Sequence, residues 1–521
     1  MGDADATNQV RQMSSEHYPP RATSPADDTQ VVAVTSHGPV RGERLARAER
    51  YFGIPYAAAP VGERRFALPE PASPWSDVRD ASRPGATAPY RVRDFPTIDI
   101  EPLVGGGWVP GDEYLSVNVW TPDSRASGLP VMVFIHGGAW VGGSAMAPVH
   151  DGQAFARDGI VLMTIGYRVG IEGFLPIPGA PTNLGLHDMI AALKWVQANA
   201  AAFGGDPATV TVSGESAGAM SIADLVVSPL AKGLFRRAII QSGHGSMTRS
   251  IPVTERVTRA IAKHLGVPPT LEGFRTTTVE QGLDALEKVS QPTARLDLRD
   301  QHGREPAFGL SRFLPVHGDE VVPMPPLEAL AVGAGKDIDI LIGSNAEEAN
   351  LYLVPTGVRT KIGLVLSWLT LGRSIRKPWR ILKAYGLGSD GKKPGDALTE
   401  AMSDLVFRWP ARVYAARHKG RTHLYDFGWR SPACDGQLGA CHGLELPFVF
   451  DTLSTVSGER GLAGHYPPQA MADRIHKIWV DYARDGTVPW PEFDETNRQV
   501  HRLDTGVTDY EPPMRAAAFW G

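Results

Sequence analysis

Five short apolar, β-branched runs, each closed by a turn of small or polar residues, constrain this 521-residue chain more than any other feature. Val131 to Ile135 ends at His136-Gly137-Gly138, and Ile160 to Ile165 ends at Gly166-Tyr167-Arg168. Val210-Thr211-Val212 runs into Gly214, and a small-residue helix is predicted from Ala217. Ala238-Ile239-Ile240 and Ile338 to Ile342 repeat the theme. Between them, Leu186 to Phe203 carries Leu186, Ile190, Leu193 and Val196 at helical spacing. Near-continuous apolar strands alternating with helices predict an α/β fold with a mostly parallel central sheet covered on both faces. In such sheets function gathers in the loops at the carboxyl ends of strands.

Two stretches break the alternation. Residues 47–111 are rich in proline and glycine and are expected to wrap the rim of a site. Residues 351–395 carry apolar helical patches, such as Ile362 to Leu371, followed by Arg373, Arg376, Lys377 and Arg380. They read as a helical insertion over the pocket mouth. A membrane-surface helix is the alternative, disfavoured because no clean polar face is evident.

Composition excludes several classes. A net charge of -5 offers no attraction for nucleic acid or anionic lipid. No stretch approaches the roughly 20 apolar residues needed to span a bilayer. Two cysteines, Cys434 and Cys441, are too few for a disulfide scaffold. The first thirty residues are polar and carry Pro19, Pro20 and Pro25. They read as a disordered extension (residues 1–30) on a cytoplasmic protein, with residues 31–521 forming one domain.

Gly214-Glu215-Ser216-Ala217-Gly218 matches G-x-S-x-G. With 56 glycines in 521 residues, roughly a third of a match is expected by chance. Context strengthens it, since a β-branched strand enters and a small-residue helix leaves. A serine at such a turn stands exposed as a nucleophile, with glycines letting neighbouring backbone pass close by; the plain alternative is a helix N-cap. A serine nucleophile needs donors for the oxyanion. The backbone N–H of Ala217 is one, and those of Gly138 and Ala139, after the strongest strand, are the others. Trp140 follows directly and is expected to wall one side of the pocket, a core position being the alternative.

The base should be a histidine late in the chain. His442 lies in a loop of small residues, Gly439 to Phe448, able to reach across the sheet edge. His418, His423, His465, His476 and His501 sit in settings that suit surface positions. The acid should follow an intermediate strand, and Ile338 to Ile342 leads into Glu347 and Glu348. The residue chemistry does not choose between these two.

Together these motifs resemble the type B carboxylesterase family, which includes the bacterial para-nitrobenzyl esterases and the cholinesterases. The resemblance runs from about Val31 to the C-terminus. It is carried by Phe52-Gly53-Ile54-Pro55-Tyr56-Ala57, by Asp112 to Val119, by Asn183 to Asp188, by Phe203 to Pro207, by the Ser216 pentapeptide and by His442-Gly443-Leu444-Glu445-Leu446-Pro447. It implies an α/β-hydrolase fold and a serine carboxylic ester hydrolase acting on small to medium esters through an acyl-enzyme. It also implies Glu348 as the acid, on Glu347-Glu348-Ala349, and His442 as the base. Departures are Tyr114 where the family has a cysteine, so that its usual N-terminal disulfide is missing, Ala139 for the third glycine of the oxyanion loop, Ala219 for the last glycine after the serine, and Ala349 for the glycine after the acid. The Ala139 Cβ is expected to narrow the pocket beside the acyl carbon. Cys434 and Cys441 are expected as free thiols.

No metal or organic cofactor is needed, and the expected partner is a small-molecule ester. Nothing sets the oligomeric state, and a monomer fits. The rival readings are a lipase, a carbamate or amide hydrolase with the same residues, and a non-catalytic binding protein of the same fold. A zinc hydrolase around His442 and Glu445 fits on spacing, although no H-E-x-x-H occurs.

Overall fold

The protein is described by a computed structural model covering residues 30–291 and 296–520. The expected N-terminal extension therefore lies outside the described residues, apart from Gln30, which opens the first strand.

The apolar runs become the centre of a thirteen-stranded sheet. Its strands are β1 Gln30–Thr35, β2 Gly38–Arg44, β3 Glu49–Pro55, β4 Arg79–Asp80, β5 Ser116–Thr121, β6 Val131–Ile135, β7 Val161–Ile165, β8 Thr211–Glu215 and β9 Arg237–Gln241, followed after a separate pair (β10 Arg249–Ser250 and β11 Val316–His317) by β12 Asp339–Asn345, β13 Thr422–Phe427, β14 Gln499–Arg502 and β15 Val507–Tyr510. They pair in the order β1-β2-β3-β5-β7-β6-β8-β9-β12-β13-β14-β15, with β4 against β2. Pairings from β7 through β14 are all parallel, and both flanks are antiparallel apart from the short β4, which runs parallel to β2.

Burial follows from this layout. Every residue of β6, β7, β8, β9 and β13 is buried. Successive residues of a strand face opposite sides. Val131, Val133 and Ile135 accordingly join a core with Leu186, Leu193 and Ile222, whereas Met132 and Phe134 join a second core with Phe155 and Trp479. The first core is covered by helices Leu184–Asn199 and Ala217–Val227, the second by Gln153–Arg157 and Gln469–Asp485. Order reverses around β6: the chain leaves it towards β7 and returns on its other side as β8. Loops after β6 and β8 thus open a crevice at their carboxyl ends, the place where ligands bind such sheets.

The antiparallel flank of β1, β2, β3 and β5 was not foreseen, and residues 47–111 contribute β3 to it. Residues 351–395 form the helical pieces Val358–Lys361, Leu364–Leu371 and Pro378–Ala384. Among the described residues no helix is long and apolar enough to cross a membrane.

One core group conflicts with its surroundings. Asp224, on helix Ala217–Val227, is 1 % exposed, and its Oδ2 has no hydrogen-bond partner among the described residues. Burial, with the Asp319 carboxylate adding to it, pushes its pKa well above the usual carboxylate range. The folded state keeps this proton where the unfolded chain has released it, above about pH 3.9. Stability is therefore lost as pH rises from there towards the folded-state pKa, at up to ~1.4 kcal/mol per pH unit. Thermal unfolding across pH 5 to 8 tests this. Relative to the wild type, Asp224→Asn should become steadily more stable as pH rises, and parallel curves would assign Asp224 no titration.

Candidate active site

Ser216 follows β8 immediately and precedes helix Ala217–Val227, so the chain must reverse within one residue. It does so at φ +55°, ψ −125°, a conformation that costs a non-glycine residue ~1–3 kcal/mol. Neighbouring backbone holds it there: the Ser216 N–H donates to the Gln241 carbonyl (2.9 Å), and its own carbonyl accepts from Met220 N–H (2.8 Å). Gly218 is required by close approach, since a Cβ there would run into the carbonyl oxygens of Ile135 and His136.

The hydroxyl meets His442 at Nε2, with Oγ 2.7 Å away, and the imidazole Nδ1 lies 2.5 Å from Glu348 Oε2. Glu348 is held in turn. Its Oε1 accepts from Ser242 Oγ (2.6 Å) and from the Asn345 N–H (2.8 Å), and its carbonyl accepts the His442 N–H (3.3 Å). Of the two glutamates, Glu348 is the one that contacts the imidazole. Glu347 turns away, pairing with Arg430 and accepting from the Ala440 N–H at 3.0 Å.

Beside this line lies the loop after β6. Gly137 is so close that a Cβ on it would stand 3.0 Å from Ser216 Cβ. The next three residues all take positive φ, +118° at Gly138, +54° at Ala139 and +61° at Trp140. The N–H groups of Gly138 and Ala139 have no acceptor among the described residues, and that of Ala217 is the unpaired first donor of its helix. Ser311 Oγ donates to the Ala139 carbonyl (3.1 Å) and steadies the loop. Trp140 is 2 % exposed, with its indole N–H on Ser221 Oγ (3.0 Å) and its ring edge-on to Phe174, a core environment.

Several residues of the site escaped the sequence reading. Glu215 Oε1 lies 3.1 Å from His442 Nε2; its place beside the serine in the pentapeptide was the available signal. Tyr352 stacks on Phe407 and sits 5.5 Å from the His442 ring. It lies four residues after Glu348, in the short helix Asn350–Leu353. Ser242, at φ +52°, had no signal beyond following a strand. Glu445 donates nothing to a metal-type cluster: its two oxygens accept from the Gln241 and Asn345 amides, at 3.2 and 2.6 Å. The other late histidines need correction. His418, His423, His476 and His501 are buried rather than on the surface. His418 spans Thr422 and the Gly335 carbonyl, His476 reaches the Val449 carbonyl, and His501 stacks flat on Trp490. Cys434 and Cys441 are free thiols.

A model of the carboxylesterase family matches residues 28–520. The chain belongs to the carboxylesterase family. This carboxylesterase is 34% identical over 501 residues to the para-nitrobenzyl esterase of Bacillus subtilis, covering 93% of this chain and 97% of that one. It is 33% identical over 482 residues to the phenmedipham hydrolase of Pseudarthrobacter oxydans, covering 89% and 93%. A solved carboxylesterase from Geobacillus stearothermophilus superposes with a TM-score of 0.80 at 32% identity, covering 94% of this chain and all of that one (100%). The carboxylesterase described here is thus a carboxylic ester hydrolase of α/β-hydrolase fold.

Its site is electrostatically crowded. Burial works against a charged His442, but the carboxylates of Glu215, Glu348 and Glu445 outweigh it and hold the imidazole at about 9. Glu215 is pushed up to about 8, by burial first and then by Glu445 and Glu348, against the pull of His442. The two facing groups titrate together, and their titration belongs to the pair. A base must be unprotonated, so kcat/KM should rise with pH along one limb. Glu215→Gln removes the anion facing Nε2 and should move that limb to lower pH. A limb that stays in place would show that Glu215 carries no charge while His442 titrates.

Proposed function

We propose that this enzyme hydrolyses small to medium carboxylic esters by two-step acyl transfer on Ser216. His442 takes the Ser216 proton as Oγ attacks the ester carbonyl, and then gives it to the departing alcohol. Water repeats the sequence on the acyl-enzyme and releases the acid. Glu348 holds the imidazole in its working tautomer and stabilises the imidazolium. Ser242 and the Asn345 N–H keep that carboxylate aimed. The N–H groups of Gly138, Ala139 and Ala217 receive the oxyanion, each such donor contributing about 10²–10³ in turnover. Trp140 supports their loop from behind, as the contact of its indole with Ser221 suggests.

One observation carries the reading. A hydroxyl, an imidazole and a carboxylate, 226 and 94 residues apart along the chain, line up at 2.7 and 2.5 Å beside free backbone donors. A domain spanning residues 31–521, with the 351–395 helices near the pocket mouth, and a cytoplasmic location belong to the same proposal. The two unpaired cysteines support the reducing compartment.

A panel of nitrophenyl esters of increasing acyl length tests it. The wild type should release a burst approaching one equivalent of nitrophenol per site before steady turnover, where deacylation is the slower step. Ser216→Ala should abolish the burst and lower kcat roughly 10⁴–10⁶-fold. Wild-type rates in that variant would remove Ser216 from the mechanism.

A further inference from the structure

Helix Leu364–Leu371 is built inside out. A surface helix ordinarily turns its apolar residues inward and its polar ones to water. Here Ser367 is wholly buried (0 %), its hydroxyl donating to the carbonyls of Gly363 and Pro394, whereas Val365 is 74% exposed. Leu364, Leu366, Trp368 and Leu369 are exposed with Val365, and Trp379 on the next helix adds a second exposed indole. Leu371 alone anchors the helix in the core. So many large apolar side chains on one short element mark a surface that something covers.

The charge around the helix indicates what. Residues 351–395 hold nine lysines and arginines and a single acid, Asp390, in a chain whose net charge is -5. Lys361, Arg376, Lys377, Arg380 and Lys383 are exposed, and the Lys383 ammonium lies 5.7 Å over the Trp379 ring. A second copy of this chain would bring the same basic rim against itself across a two-fold axis, which is repulsive. An anionic bilayer accepts both parts: leucine and valine enter the acyl boundary, indoles sit at headgroup level, and each basic side chain gains from the anionic headgroups.

We propose that helix Leu364–Leu371 and its basic rim seat this enzyme on anionic lipid surfaces. The segment is tied to the site, since Arg359 donates to Gln437 (2.6 Å) and Asn350 to the Leu438 carbonyl (3.0 Å), both on the loop leading to His442. Docking through the helix therefore holds that side of the catalytic machinery beside the bilayer, where lipid-dissolved esters are concentrated.

Flotation with vesicles tests this directly, using phosphatidylcholine alone and an equimolar mixture with phosphatidylglycerol. The full-length wild type should float with the mixed vesicles and at least ~tenfold less with the neutral ones. Val365→Glu with Leu369→Glu should lose flotation while hydrolysing a soluble nitrophenyl acetate at the wild-type rate. Arg376→Glu with Lys377→Glu should lose only the preference for the anionic vesicles. Absence of flotation, or equal flotation with both vesicle types, would overturn the proposal. So would light scattering showing a wild-type dimer that the Val365→Glu, Leu369→Glu variant dissociates, since the face would then belong to a second copy.

Discussion

The site depends on parallel strands ending at one edge of the sheet. Four neighbours, β8, β9, β12 and β13, run side by side in the same direction. Ser216 follows the first, Ser242 the second, Glu348 comes three residues after the third, and His442 lies in the loop beyond the fourth. Ser216, Ser242 and Glu348 need only a short excursion from a rigid strand, whereas His442 arrives on a longer loop whose backbone is tied back by its N–H on the Glu348 carbonyl. The strands can lie in that order only because helices bury both faces, which is why their sequences are apolar almost without interruption.

The same layout makes the site costly in local terms. Ser216, Ser242, Ala139 and Trp140 all occupy backbone conformations that favour glycine. Glu215, Glu348 and Glu445 are buried around one imidazole, a concentration of acid that bare burial would neutralise. Polar groups of the surrounding strands answer part of this: Gln241 and Asn345 take the Glu445 oxygens, while Ser242 and the Asn345 backbone take Glu348. Among the described residues Glu215 Oε1 has no such donor and faces His442. It is the member of the cluster whose charge is least supported, and burial pushes its pKa up to about 8.

Legibility in the sequence followed the range of the interactions. Apolar runs and their glycine turns are local, and they located β6, β7, β8, β9 and β12 to within a few residues. In the antiparallel flank β2 and β3 were missed because charge, glycine and proline interrupt their apolar residues, whereas the short apolar run of β1 was passed over. The turn at Ser216, the loop of His442 and the glycine turn after β6 were legible because each sits in a recognisable motif. Glu348 needed the family pattern, since two adjacent glutamates are distinguished only by which way the chain turns after Asn345. Tyr352 and Glu215 were passed over because their roles exist only once distant strands meet. The late histidines misled because burial among charged neighbours, as in His476 against Asp158, looks like exposure when only the flanking sequence is visible.

Two regions break the rules that the rest of the chain obeys, and they break them differently. At the site the violations are of backbone and charge, and all but the Glu215 carboxylate have an identifiable compensating contact. In helix Leu364–Leu371 the violation is of polarity: the Gly363 and Pro394 carbonyls satisfy the buried serine, but nothing within the described residues covers the exposed valine and leucines. Conformational strain persists when surrounding structure over-determines it, but an exposed apolar face has no such support and is disfavoured in water for as long as it stays uncovered. Agreement among local preferences is what lets a sequence specify one fold, and departures concentrate where function is placed. By that criterion the helix belongs with Ser216, not with the neutral surface around it.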